Sequence, residues 1–414
     1  MTRLTFLTLC ALCLTLASCS KHDSNPGTTT TTTTSTGTLS INCYPVFNGL
    51  QTEVIVSEPG GAILLDTTLN KTGAPLIASL KTNDTLVDVT QVSPVANLPT
   101  TDVYTFKSVN LARISTLGVG DYGNRYKRQA TSTQAQIFYY NIPSQIDLNF
   151  QDGIYWSNYV LSGKTGATAD PTNRTLQVGF DNYQGDYSYL LFPNTGLYSL
   201  HKQKNAIDSI DCSHLDTAVQ LTFSRPVPFT APNYGIALYG LLDTTDLTKV
   251  ISFADWEQIS SKPGVDFEYA PTSLVQKYEM WYTATESNND QIFYYSLSKI
   301  LPQSLPLPQG NDFSTSSTKA DNFSVTFPNK NFSYYELSLS ADTTIRYKVY
   351  ISPDSSTVHP VTFLTGLKSK LLQNARVSSL QLNSFNMTNF SGLNYLNFYR
   401  AGAGTSVSSI TRNY

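Results

Sequence analysis

Short runs of β-branched and aromatic residues recur along most of this chain, and that pattern limits its fold more than any other feature. The runs are Glu53 to Val56, Ala62 to Leu65, Thr85 to Val89, Tyr104 to Val109, Gln136 to Tyr140, Leu176 to Phe180, Tyr187 to Phe192, Val219 to Phe223, Asn322 to Phe327, Tyr334 to Leu339, Ile345 to Ile351 and Tyr395 to Tyr399. Turn residues separate many of them, as at Pro59-Gly60-Gly61, Asn83-Asp84, Pro193-Asn194 and Pro328-Asn329. Strand side chains alternate with period two, whereas a helix needs an apolar residue every three or four positions over a longer stretch. Only Phe253 to Ser260 and Leu367 to Asn374 read as helical, and both are short.

With 26 Tyr, 20 Phe and only 3 Met, the side chains available also favour strands. The expected fold is therefore all-β, built of tandem β-sandwich units of immunoglobulin-like kind with few short helices. Internal similarity points to a divergent duplication. Ser40-Ile41-Asn42-Cys43 recurs as Ser209-Ile210-Asp211-Cys212, and Leu64 to Thr68 as Leu241 to Thr245. Gln136 to Tyr140 recurs as Gln291 to Tyr295, and Val178 to Asn182 matches Val325 to Asn329 at alternate positions. The anchors keep their order. They place a first β unit at 39–205, a second at 206–353, and a C-terminal β extension, 354–414, packed on the second.

The start of the chain carries an address. Arg3 precedes an apolar stretch, Leu4 to Leu16, which is shorter than the roughly 20 residues a spanning helix needs and so reads as a signal peptide, 1–18. Leu16-Ala17-Ser18-Cys19 resembles the lipobox of bacterial lipoproteins. That resemblance implies lipidation of Cys19 and attachment to a membrane through several acyl chains, where one alone binds marginally. Ser20 after the cysteine is similar to outer-membrane sorting signals, and Asp23 faintly resembles the acidic surface-export tag of Bacteroidota lipoproteins. Asp followed by Ser or Thr and a small or apolar residue, similar to the O-glycosylation motif of that group, occurs at Thr67, Thr85, Ser209, Thr217, Thr244 and Thr343. Residues 19–38, with an unbroken run Thr28 to Thr34, have nothing apolar to bury before Leu39 and read as a flexible linker.

Several chemistries fail on inspection. A net charge of −3 with 14% charged residues provides no basic face, which argues against nucleic acid. Gly118, Gly120 and Gly123 spell a dinucleotide fingerprint, but Asn124 to Arg128 is no apolar-faced helix to receive a pyrophosphate. Ser296 to Lys299 and the two Lys-Thr-Gly triplets, at Lys71 and Lys164, stand in the wrong order for a penicillin-binding enzyme. His201, Asp208, Asp211, Cys212, His214 and Asp216 crowd together without zinc-ligand spacing. No cofactor is expected. Cys43 and Cys212 are read as two buried thiols in equivalent strands, a disulfide between them being the alternative.

What remains is a lipid-anchored outer-membrane or cell-surface protein with a non-enzymatic binding or structural role toward a glycan or protein partner. Trp156, Trp256 and Trp281 are the candidate ligand-binding aromatics, since an indole presents a flat face to a sugar ring and a donor at its edge. The alternative is a secreted glycoside hydrolase using carboxylates from Asp255-Trp256-Glu257 and Asp266-Phe267-Glu268, where each pair would share one strand face.

Overall fold

Strand pairing organises most of the described residues. The computed structural model describes residues 35–41, 51–69, 76–82, 84–95, 97–110, 134–148, 154–157, 164–180, 187–223, 234–244, 250–254, 267–286, 288–301, 304–305, 307–308, 311–342, 344–391 and 406–414. The fold is all-β, with several sheets and, among the described residues, one α-helix, Pro360–Gly366.

The largest sheet has twelve strands, in the order Val250–Ala254, Tyr234–Leu241, Lys277–Thr285, Gln291–Ser298, Ser406–Asn413, Gln381–Phe390, Tyr334–Ala341, Ile345–Ile351, Thr101–Asn110, Leu86–Pro94, Thr52–Ser57 and Ile63–Leu69. Neighbours are antiparallel except Ile345–Ile351 against Thr101–Asn110, which is parallel. The central strands are buried on both faces, so successive residues serve different cores. Ile55 joins one apolar cluster with Leu337, Tyr347 and Phe385, while Val54 and Val56 join another with Val89, Phe106 and Tyr350. Each buried aliphatic side chain contributes about 1.5–3 kcal/mol.

A second layer system lies at residues 134–217. The strands Ile207–Asp211, Ala135–Tyr140, Thr175–Phe180 and Lys164–Asp170 form one sheet. Asp216–Thr217, Leu197–Lys202, Tyr187–Phe192 and Tyr155–Ser157 form another. Ile137, Tyr139, Val178 and Phe180 pack against Leu190 and Phe192 between them, which makes a sandwich. The opposite face of Tyr187–Phe192 sends Tyr189 and Leu191 to the main core. There Tyr189 meets Phe253 edge to face, centroids 5.0 Å apart, a geometry worth about 0.5–1.5 kcal/mol beyond its burial. Tyr155 Oη and Ser252 Oγ lie 2.9 Å apart, and Ser157 Oγ donates to the Ser252 carbonyl, so this sheet covers the edge strand Val250–Ala254. The sandwich straddles residues 205 and 206, and the main sheet draws strands from all three segments marked out by the sequence anchors.

The structure corrects local expectations. Phe253 and Ala254 belong to a strand, not a helix. The helix near the C-terminal end lies upstream of Leu367 to Asn374. Pro360 at its start is pre-set for helical φ, and Lys368 at φ 52° ends it in the left-handed region. Ser35 to Thr38, at the end of the Thr-rich linker, already belong to the strand Ser35–Ile41, antiparallel to Leu76–Thr82. Backbone pairing needs no apolar side chain, and Thr suits a strand. The run Tyr395 to Tyr399 lies outside the described residues, as does Cys43.

Candidate functional site

Two of the three tryptophans lie among the described residues, both half-buried against apolar neighbours. Trp156 is half-buried on Tyr155–Ser157, paired with Leu190, and lies against the sandwich core. Trp281, on Lys277–Thr285, packs edge to face on Tyr295 at 4.7 Å and Phe293 at 5.9 Å. Trp256 and Cys19 lie outside the described residues, as do Asp255, Glu257 and Asp266. Glu268 sits on the short strand Phe267–Tyr269, paired with Gln220, and its carboxylate lies close to Gly196.

The crowded His/Asp/Cys segment also resolves into structural roles. His201 Nε2 lies 3.8 Å from Asp208 Oδ2. Burial alone would raise the Asp208 pKa, but hydrogen bonds from the Lys204 and Ser209 amides, with His201 nearby, hold it below the usual carboxylate range. Among the described residues no group of His, Cys, Asp and Glu is arranged to hold a metal ion. Cys212 is buried in the sandwich core with Ile137 and Ile210. Burial, with the Asp211 charge adding to it, pushes its thiol up to about 12. Alkylation at pH 8 in the native chain is therefore expected to be at least about a hundredfold slower at Cys212 than in denaturant, because the thiolate is the nucleophile. Peptide mapping after timed iodoacetamide labelling checks this; equal rates would refute burial.

The outward face of the same sandwich is the more distinctive surface. The strand Ala135–Tyr140 alternates strictly, with Ile137 and Tyr139 buried and Gln136, Phe138 and Tyr140 exposed. Phe138 and Tyr140 are 38% and 40% exposed, and Ile207 on the neighbouring strand is 65% exposed. Register places Ser209 and Asp211 beside Phe138 and Tyr140 on one side, and Gln177 beside Phe138 on the other. Thr168 lies beyond Gln177. Successive rows are about 6.6 Å apart along a strand, so the aromatics are stepped two residues apart on an open sheet of hydroxyl, amide and carboxylate neighbours.

The polar edge of this face is set by turns. Asp211 accepts hydrogen bonds from the Ser213 amide at 2.9 Å and from Asn141 Nδ2 at 3.1 Å. These hold its carboxyl below the usual range, the Ser213 amide contributing most, so it stands charged beside Tyr140. Asn141 takes φ 57°, and the Cys212 amide donates to the Tyr140 carbonyl at 2.8 Å, which locks the two strand ends together. Such a face can stack a flat or apolar ligand surface and hydrogen-bond its margins.

No family model matches the chain, and no curated protein matches it. Among solved structures, the FN1–FN3 domains of chicken CNTN1 align over 63% of this chain and 89% of their own, at 11% identity and a TM-score of 0.12. A product complex of SpuA, a multi-modular glycogen-degrading pneumococcal virulence factor, aligns over 85% of this chain and 36% of its own, at 10% identity and a TM-score of 0.14. Likeness at this level carries no argument about ligand or activity.

Proposed function

We propose that this is a lipid-anchored protein of the bacterial outer membrane or cell surface, with a non-enzymatic binding role toward a glycan or protein partner. The anchoring half of the proposal rests on Leu16 to Cys19 and its resemblance to a lipobox. The binding half rests on one observation, the exposed pair Phe138 and Tyr140 on a polar sheet face. A surface protein held by an N-terminal lipid presents its body to large, slowly diffusing partners. An open face suits these better than a closed pocket suits a small substrate.

The two halves are tested separately. Cys19→Ala should move the full-length protein out of the membrane fraction or block its processing; a mutant that matures and stays membrane-bound refutes the anchor. For binding, the full chain in detergent is applied to a glycan array and to immobilised surface proteins of the same bacterium. Phe138→Ala with Tyr140→Ala should weaken binding of the partner that this face holds about tenfold or more, at unchanged melting temperature. Glycan turnover abolished by Glu268→Gln or Glu257→Gln would overturn the non-enzymatic reading in favour of a hydrolase.

A further inference from the structure

Segments distant in the chain meet around a second feature, a groove of about 660 Å³. That lies within the roughly 300–1,000 Å³ of small-molecule sites. Its floor is apolar, with Phe332 and Met387 only 7% and 6% exposed. Its rim is amide: Asn311, Asn329, Asn331 and Asn389 all line it and are all exposed.

The backbone fixes these positions. Asn329 Oδ1 accepts from the Asn331 amide at 2.9 Å, closing a turn after Pro328. The Phe332 ring lies on Phe327 at 4.6 Å. The Ser333 amide then donates to the Thr388 carbonyl at 3.0 Å, and the Phe390 amide donates to Ser333 Oγ at 2.8 Å. The loop carrying Asn331 is thereby tied to the strand carrying Asn389. Asn389 is itself in register with Ser408, which also lines the groove.

Carboxamides offer donors and acceptors without charge. Four of them around an apolar floor complement a ligand whose edge carries hydroxyls of both roles and whose faces are C–H. Among the described residues lining the groove Asp312 alone is charged, so the lining itself offers a phosphate, sulfate or uronate no cation. We propose that this groove binds a neutral oligosaccharide, with the Asn331 and Asn389 amides hydrogen-bonding its hydroxyls above Phe332. The inference does not depend on the Phe138 and Tyr140 face.

Titration calorimetry on the full chain in detergent tests it, with maltohexaose, cellohexaose and mannohexaose as neutral probes and hexagalacturonate as the charged one. At least one neutral probe should bind. Asn331→Ala and Asn389→Ala, both at exposed positions, should each weaken that binding about tenfold without lowering the melting temperature. Failure of every neutral probe, preference for hexagalacturonate, or indifference to both substitutions would overturn the groove. So would loss of binding in EDTA, since the amides and Asp312 would then be holding a cation. Binding weakened by Phe138→Ala and not by the asparagine variants would sink this inference while leaving the sheet-face proposal standing. The reverse pattern would support the groove and count against the face as a saccharide site.

Discussion

Glu53→Ala is expected to destabilise the folded chain by about 3 kcal/mol or more, because it strands three donors at once. Glu53 is 0% exposed, on the strand Thr52–Ser57. Its carboxylate accepts from Ser369 Oγ at 2.5 Å, the Lys370 amide at 2.9 Å and the Leu371 amide at 3.2 Å. A single side chain thus closes the turn after the helix onto a strand more than three hundred residues away, |i−j| being 316 for Ser369. Leu367, Leu372 and Leu380, in the segment that carries these donors, are buried in the main core, and Ser369 itself is only 4% exposed, so its hydroxyl is the freed donor least able to turn to water. Glu53→Gln should cost less, since it keeps one acceptor oxygen but turns an NH₂ toward donors. Denaturant unfolding measures both losses. Hydrogen exchange at Lys370 and Leu371 should accelerate even where the global fold survives; a loss under about 1 kcal/mol with unchanged exchange would show that the carboxylate is dispensable.

The same residue shows why part of this fold was legible in the sequence and part was not. Val219–Phe223 and Ile345–Ile351 are strands over the very spans their apolar residues mark out. By contrast, Lys277–Thr285 buries Glu279 at 3% exposure in a strand interior, where a carboxylate disguises a core segment as surface. Tyr234–Leu241 is buried through almost its whole described length, with two glycines in it, so no alternation announces it. Phe253 reads as helical in the sequence because a strand buried throughout has no period to recognise.

Partners are harder still. The Arg346 guanidinium bridges to Asp102 across 244 residues of sequence, which no local pattern could have signalled. The repeated words illustrate this limit. Gln136 to Tyr140 sits between an antiparallel and a parallel neighbour in a four-stranded sheet, whereas Gln291 to Tyr295 sits between two antiparallel neighbours in the main sheet. Leu64 to Thr68 lies within an edge strand, while Leu241 ends an inner strand. Val178 and Phe180 do share with Val325 and Phe327 the buried alternation that made them resemble one another. Of the surface, alternation puts Phe138 and Tyr140 on one face of their strand, yet the sequence points to tryptophans as binding aromatics, because which face turns outward depends on packing and its polar neighbours depend on register. The amide groove carried no signal at all, because its exposed asparagines come from separate loops and strands with no common spacing.

Arg412→Ala is expected to be costlier than Glu53→Gln, about 3–5 kcal/mol, because it leaves a buried carboxylate without its counter-charge. Asp290 has 0% side-chain exposure and Arg412 25%. The guanidinium grips the carboxylate with two bonds, Nε to Oδ1 at 2.8 Å and Nη2 to Oδ2 at 2.5 Å. Its other face lies over the Phe313 ring at 4.4 Å. Asp290 retains one hydrogen bond from Asn288 Nδ2, too little to replace a full charge in that setting. The pair matters because of where it sits. Arg412 is near the end of Ser406–Asn413, the strand that joins Gln291–Ser298 to Gln381–Phe390 at the middle of the main sheet. Loss of the clamp should therefore loosen that end of the strand from both neighbours, and faster exchange at Ile410 and Thr411 would report it. Arg412→Lys keeps the charge but loses the planar fork and the ring contact, so an intermediate loss is expected. Replacing both partners by leucine should recover much of the loss, since a buried ion pair often stabilises no more than well-packed apolar groups of similar volume. If Arg412→Ala costs no more than the double replacement, the bidentate bridge is not what pins the last strand, and its backbone pairing alone suffices.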